Sequence, residues 1–63
     1  MNHSYIVRII HDETGEVVRE FTQDSLNNAQ RLESSLWDRI DVENYTVRTY
    51  INKIDGTLVE TAQ

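Results

Sequence analysis

The chain has 63 residues, six Lys and Arg against eleven Asp and Glu, a net charge of −5 and no Cys. That length allows one domain at most and the missing thiols exclude disulfides and thiolate metal sites. The acidic balance argues against direct DNA or RNA binding, which draws on Lys and Arg to neutralise phosphates.

The stretch YIVRIIHDETGEVVREF, residues 5–21, reads as two strands and a turn. DETG at 12–15 fits a type I turn followed by Gly15 in the left-handed region, which glycine reaches freely. This closure sets Asp12 opposite Glu16, His11 opposite Val17, Ile10 opposite Val18, Ile9 opposite Arg19, Arg8 opposite Glu20, Val7 opposite Phe21 and Ile6 opposite Thr22. Strand side chains alternate between faces. One face then carries Tyr5, Val7, Ile9, His11, Val17, Arg19 and Phe21, and the other carries Ile6, Arg8, Ile10, Val18, Glu20 and Thr22. Arg8 and Glu20 form a cross-strand charge pair.

TQDSLNNAQRLESSLWDRI is a helix over about 25–40, with Asp24 or Ser25 able to cap its amino end by accepting free backbone N–H groups. At about 100° per residue, Leu26, Ala29, Leu32, Leu36, Trp37 and Ile40 share one arc, with Arg31, Ser34, Ser35 and Asp38 opposite. Glu33 projects from inside the apolar arc. A carboxylate there either reaches solvent past the rim or finds a partner, for which Arg19 and His11 on the core face are the natural candidates. Trp37, at the edge of the arc, reads as core rather than interface.

DVEN is a short acidic turn. YTVRTYI, 45–51, alternates β-branched and aromatic residues and reads as a third strand. Tyr45, Val47, Thr49 and Ile51 share one face, and Thr46, Arg48 and Tyr50 the other. Asp55-Gly56 signals a hairpin into a short fourth strand, TLVE. A two-residue loop puts Leu58 on the Ile51 face; a longer loop with a bulge at Gly56 puts Val59 there. The last three residues, TAQ, are expected to fray. The strands fall at about 4–11, 16–22, 45–52 and 57–60.

The fold class is α+β, in the order β-β-α-β-β. One amphipathic helix packs on one face of an antiparallel sheet of three to four strands, ordered 2-1-3-4. Antiparallel sheets can leave one face to water. Here the uncovered face would carry Ile6, Ile10, Val18 and Tyr50, interleaved with Arg8, Glu20 and Arg48, and one of Leu58 or Val59. Those seven, from Ile6 to Tyr50, are the interface candidates, set against the alternative of scattered surface hydrophobes. A second candidate is an acidic patch of Asp38, Asp41 and Glu43, with Asp12, Glu13 and Glu16 at the hairpin tip. Acidic residues beyond a helix carboxyl end oppose the macrodipole and do not serve helix stability. They form either a solvated loop or a surface for a basic groove.

No catalytic constellation stands out. The Ser residues lack a glycine-rich elbow, Gly15 and Gly56 are single turn glycines, and His3 and His11 are too few for a histidine metal site. DVENY and DETGE lack the spaced oxygens of a calcium loop. A chain this short also leaves little room for a water-excluding pocket. No cofactor, no metal and no enzymatic activity are expected. MNHSYIVRII has neither a basic start nor a long apolar run, so no signal peptide is read. No stretch approaches the roughly 20 apolar residues of a membrane span, so a soluble, cytoplasmic chain is expected.

The hairpin, the D-S-L-x-x-A opening of the helix and Y-x-V-R-x-Y together resemble, over residues 5–51, small phage accessory inhibitors. These include the short coliphage inhibitor of host RNA polymerase and small anti-CRISPR proteins with one helix on an antiparallel sheet. The resemblance implies a stoichiometric inhibitor acting by occlusion and assigns no functional residues. The expected function is a non-catalytic module that binds a protein, basic or itself nucleic-acid-binding. The alternative is a homodimeric structural or regulatory subunit that closes its outer faces together.

Overall fold

A computed structural model describes residues 3–61. The elements run β1 (Ser4–His11), β2 (Val17–Gln23), α1 (Leu26–Trp37), β3 (Tyr45–Asn52) and β4 (Leu58–Glu60). They form one antiparallel four-stranded sheet in the order β2-β1-β3-β4 with α1 on one face. The expected α+β layout and strand order are therefore present.

The most apolar strand lies inside the sheet. β1 pairs along its whole length with β3, from Ser4 with Asn52 to His11 with Tyr45. Its odd residues turn toward α1. Val7, Ile9, Ala29 and Val47 form the buried core, and Tyr5, Phe21, Leu32, Leu36, Trp37, Ile40 and Tyr45 pack around them. Because side chains alternate, all of β1's core contribution comes from one set of alternate positions.

Ser25 caps α1: its backbone is extended and its Oγ accepts the Asn28 N–H at 3.2 Å. The helix ends at Trp37, earlier than the expected Ile40. Arg39 and Ile40 both donate backbone N–H bonds to the Leu36 carbonyl, a tightened last turn. Ile40 still packs against the core from this turn. Leu26, expected on the apolar arc, opens the helix and is exposed.

The first hairpin differs from the expected closure by one residue. His11 N–H donates to Glu16 O at 2.8 Å and Gly15 N–H to His11 O at 2.7 Å, with Gly15 at φ +74°. The loop therefore holds Asp12 to Gly15, and His11 faces Glu16 rather than Val17. A β-bulge absorbs the extra residue. Ile10 pairs with Val17, Val18 is skipped, and from Ile9–Arg19 to Tyr5–Gln23 the expected register returns. Val17 is thereby moved off the core face and is 41% exposed. Arg19, expected on the core side, is exposed as well.

The last hairpin takes the longer loop. Lys53 N–H donates to Thr57 O, Gly56 N–H donates to Lys53 O, and Gly56 sits at φ +89°. Val59 thus pairs with Ile51, and Leu58 pairs with Asn52 on the other face. Thr61, expected to fray, instead donates its N–H to Thr49 O at 3.0 Å. The rest of that expectation, Ala62 and Gln63, lies outside the described residues.

Candidate functional site

The outer sheet face carries no helix, yet Ile6 on it is only 7% exposed. Its neighbours explain this. Glu20, Arg8 and Arg48 fall in one cross-strand row, and Glu60, opposite Tyr50, lies one step diagonal to Arg48. Arg8 Nε bonds Glu20 Oε2 at 2.6 Å, and Arg48 Nη1 bonds Glu60 Oε1 at 2.8 Å. The Arg8 guanidinium also stands over the Tyr50 ring, 5.2 Å from its centroid. Asn52 donates to Ser4 Oγ, and Thr46 donates to Asp12 Oδ1 at 2.6 Å. The apolar stems of the arginines and the Tyr50 ring thus cover the sheet while their polar ends remain in water.

This arrangement places the interface candidates. Ile6, Arg8, Ile10, Glu20, Arg48 and Tyr50 lie on one face, with Arg8, Glu20, Arg48 and Tyr50 engaged in the contacts just described. Val18 does not oppose Ile10 as expected. It is the skipped residue of the bulge, 43% exposed, because the four-residue loop shifts the pairing there.

Glu33 is the other expected oddity. It is 7% exposed, not solvated past the rim, and its Oε1 accepts a hydrogen bond from the Thr49 hydroxyl, itself 3% exposed. The structure thus provides Glu33 with a β3 hydroxyl as a partner. His11 stands edge-on to Tyr45 with ring centroids 5.1 Å apart. Thr49 was legible as a candidate, since it alternates with Val47 and Ile51 on the core face, and a polar residue there needs a partner. Beside this pair an open cleft of about 490 Å³ runs between Trp37 and the Arg48–Glu60 pair. Its volume falls in the range of ligand sites, but it is open to solvent rather than the water-excluding pocket that the chain length argued against. Glu33 and Thr49 both line it.

The acidic residues come together. Asp12 N–H donates to Asn44 O at 2.9 Å, so the hairpin loop and the turn before β3 are joined at one end of the sheet. Asp41 organises that turn. Its Oδ1 accepts the Glu43 N–H, its Oδ2 accepts the Asn44 side chain, and its carbonyl accepts the N–H groups of Asn44 and Tyr45. Asp38 caps the helix end just before it. Asp12, Glu13 and Glu16 thus share one pole with Asp38, Asp41 and Glu43, and Val17, Val18 and Val42 are exposed at the same pole. Among the described residues no group of His, Cys, Asp and Glu is placed to hold a metal ion, and no helix is long and apolar enough to cross a membrane.

Comparison with protein families, with curated proteins and with solved structures finds no match in any of the three.

Proposed function

We propose that the chain is a small acidic, non-catalytic module that binds a basic protein surface through its acidic pole. The supporting observation is the joining of two acidic turns, 34 residues apart at the Thr46–Asp12 bond, around exposed valines. Charged rims around apolar side chains suit protein contacts: the charges steer encounter and the apolar groups supply the buried contact. The finer reading is a phage or mobile-element accessory protein that inhibits a host nucleic-acid-handling protein by steric occlusion. It rests on the outline resemblance over residues 5–51.

The test is binding of the purified chain to purified bacterial RNA polymerase as salt is varied, with Glu13→Lys/Glu16→Lys/Glu43→Lys as comparison. These side chains are exposed, so the fold should survive. The expectation is affinity that weakens as salt rises and falls at least tenfold in the variant. Failure of the wild-type chain to bind removes the polymerase reading. Equal binding by the variant moves the contact away from the acidic pole.

A further inference from the structure

We infer that β2 is the interface of a symmetric homodimer, with Glu20 bonded to the second copy's Thr22 and Phe21 facing its own equivalent. This goes beyond the protein-binding reading and does not depend on it, since the surface and the occupant are both different.

β2 is an edge strand, and Val17 to Glu20 and Thr22 are exposed. The helix packs on β1 and β3 more than on β2. The direction of the free backbone groups follows from the backbone hydrogen bonds of the neighbouring strands. Thr61 N–H reaches Thr49 O, so Thr49 points its backbone at β4. Antiparallel ladders alternate, so Arg48 and its partner Arg8 point at each other, and Val7 and Ile9 point at β2. The His11–Glu16 bond agrees with this sense. Phe21 and Arg19 therefore bond inward to β1, and Glu20 and Thr22 hold N–H and C=O groups outward. Among the described residues no strand takes them.

A second copy fits these groups in one register. A two-fold axis perpendicular to the sheet makes an antiparallel pair and keeps both helices on one side. Only outward-facing residues can bond each other across it. Centring on Glu20 sets that carboxylate against itself. Centring on Thr22 sets Glu20 against Asp24, and centring on Gln23 sets Glu20 against Leu26, which is already helical. Centring on Arg19 sets two guanidiniums together and runs the ladder into the bulge. Centring on Phe21 pairs Glu20 with Thr22 twice, Arg19 with Gln23 twice, and Phe21 with itself at the close, non-hydrogen-bonded spacing. No like charges face each other directly in that register. The bulge at Val17–Val18 ends the pairing, and the two-fold closes it, so the edge is consumed without templating a fibre.

The contact is small, so a reversible, concentration-dependent dimer is expected. Sedimentation equilibrium over a wide concentration range should show the mass rising toward twofold. Amide exchange should slow at Glu20 and Thr22 over that range, while Arg19 and Phe21 stay protected throughout. Thr22→Pro removes an outward N–H that the monomer does not use, so it should abolish the mass increase and leave the circular dichroism unchanged. The chain has no Cys, so Arg19→Cys/Gln23→Cys reports the register directly. Positions 19 and 23 lie about 13 Å apart within one strand and cannot bridge, whereas facing residues of two copies can. Mild oxidation should give a covalent dimer, and Arg19→Cys alone should not. A constant monomer mass overturns the inference. So does a dimer that persists in Thr22→Pro and fails to crosslink, which would place the contact elsewhere. Protection of Glu20 and Thr22 only on adding a different protein overturns it too, in favour of a foreign strand.

Discussion

The Thr49 hydroxyl on β3 donates to the Glu33 carboxylate on α1, tying helix to sheet by a polar contact inside an otherwise apolar layer. A buried carboxylate that loses a donor keeps its desolvation cost. Thr49→Val should therefore destabilise the fold by about 1–3 kcal/mol in denaturant unfolding. Glu33→Leu/Thr49→Val, which removes both polar partners, should cost less than Thr49→Val alone. A loss below about 0.5 kcal/mol for Thr49→Val would show that the hydroxyl is not what holds the carboxylate.

Arg8 and Arg48 stand directly opposite each other on the outer face, each flanked by a glutamate. Each exposed pair contributes roughly 0.2–1 kcal/mol. Glu20→Gln/Glu60→Gln leaves the two guanidiniums facing without their carboxylates, so its cost should reach about 1–2 kcal/mol at low salt. High salt screens such repulsion, and the difference from wild type should shrink in 1 M NaCl. A salt-independent loss would mean that packing of the glutamate stems, not charge, is responsible.

Gly15 closes the first hairpin at φ +74° with open space around the position of a Cβ. Crowding is thus absent, and the cost of a side chain is conformational. Gly15→Ala should lose about 1–2 kcal/mol. Gly15→Asn should lose less, because asparagine tolerates the left-handed region. Equal losses would point to the turn's hydrogen bonds rather than to φ.

Asp55 sits in the β3–β4 turn, where the Thr57 N–H donates to its carboxylate at 2.9 Å. That backbone bond, then the Thr57 side chain and Lys53, holds its pKa below the ordinary value of 3.8. A lowered folded pKa adds stability that is fully present above the ordinary value. That stability is lost as pH falls through the folded one. The Thr57 amide resonance should titrate with a midpoint below 3.8, and the titration should vanish in Asp55→Asn. A midpoint at or above 3.8 would mean that the bond is not held in solution.

Much of this layout was legible in the chain. The alternation of Val7 with Ile9 and of Val47 with Thr49 marks two strands and their inward faces. Asp24 and Ser25 before Leu26 mark the helix start, and the structure selects Ser25 as the cap. These signals are local, because strand and helix periods are properties of a few consecutive residues. The Arg8–Glu20 pair was also readable, since it lies in the part of the hairpin where the register returns to the expected one.

What the tertiary structure decided concerns counts of one residue and distances across the sheet. Whether His11 faces Glu16 or Val17 depends on where a β-bulge absorbs an extra residue, and local sequence permits both. That slip alone moved Val17 off the core face. Thr49 became the partner of Glu33 because α1 lies across β3, a crossing no periodicity encodes. Arg48 met Glu60 because the β3–β4 hairpin took its longer loop, and two acidic turns met at one pole only once β1 and β3 paired along their full length. Residue type and spacing therefore determined the elements and their buried faces. Register and crossing, which depend on the balance of many distant contacts, determined which charges meet.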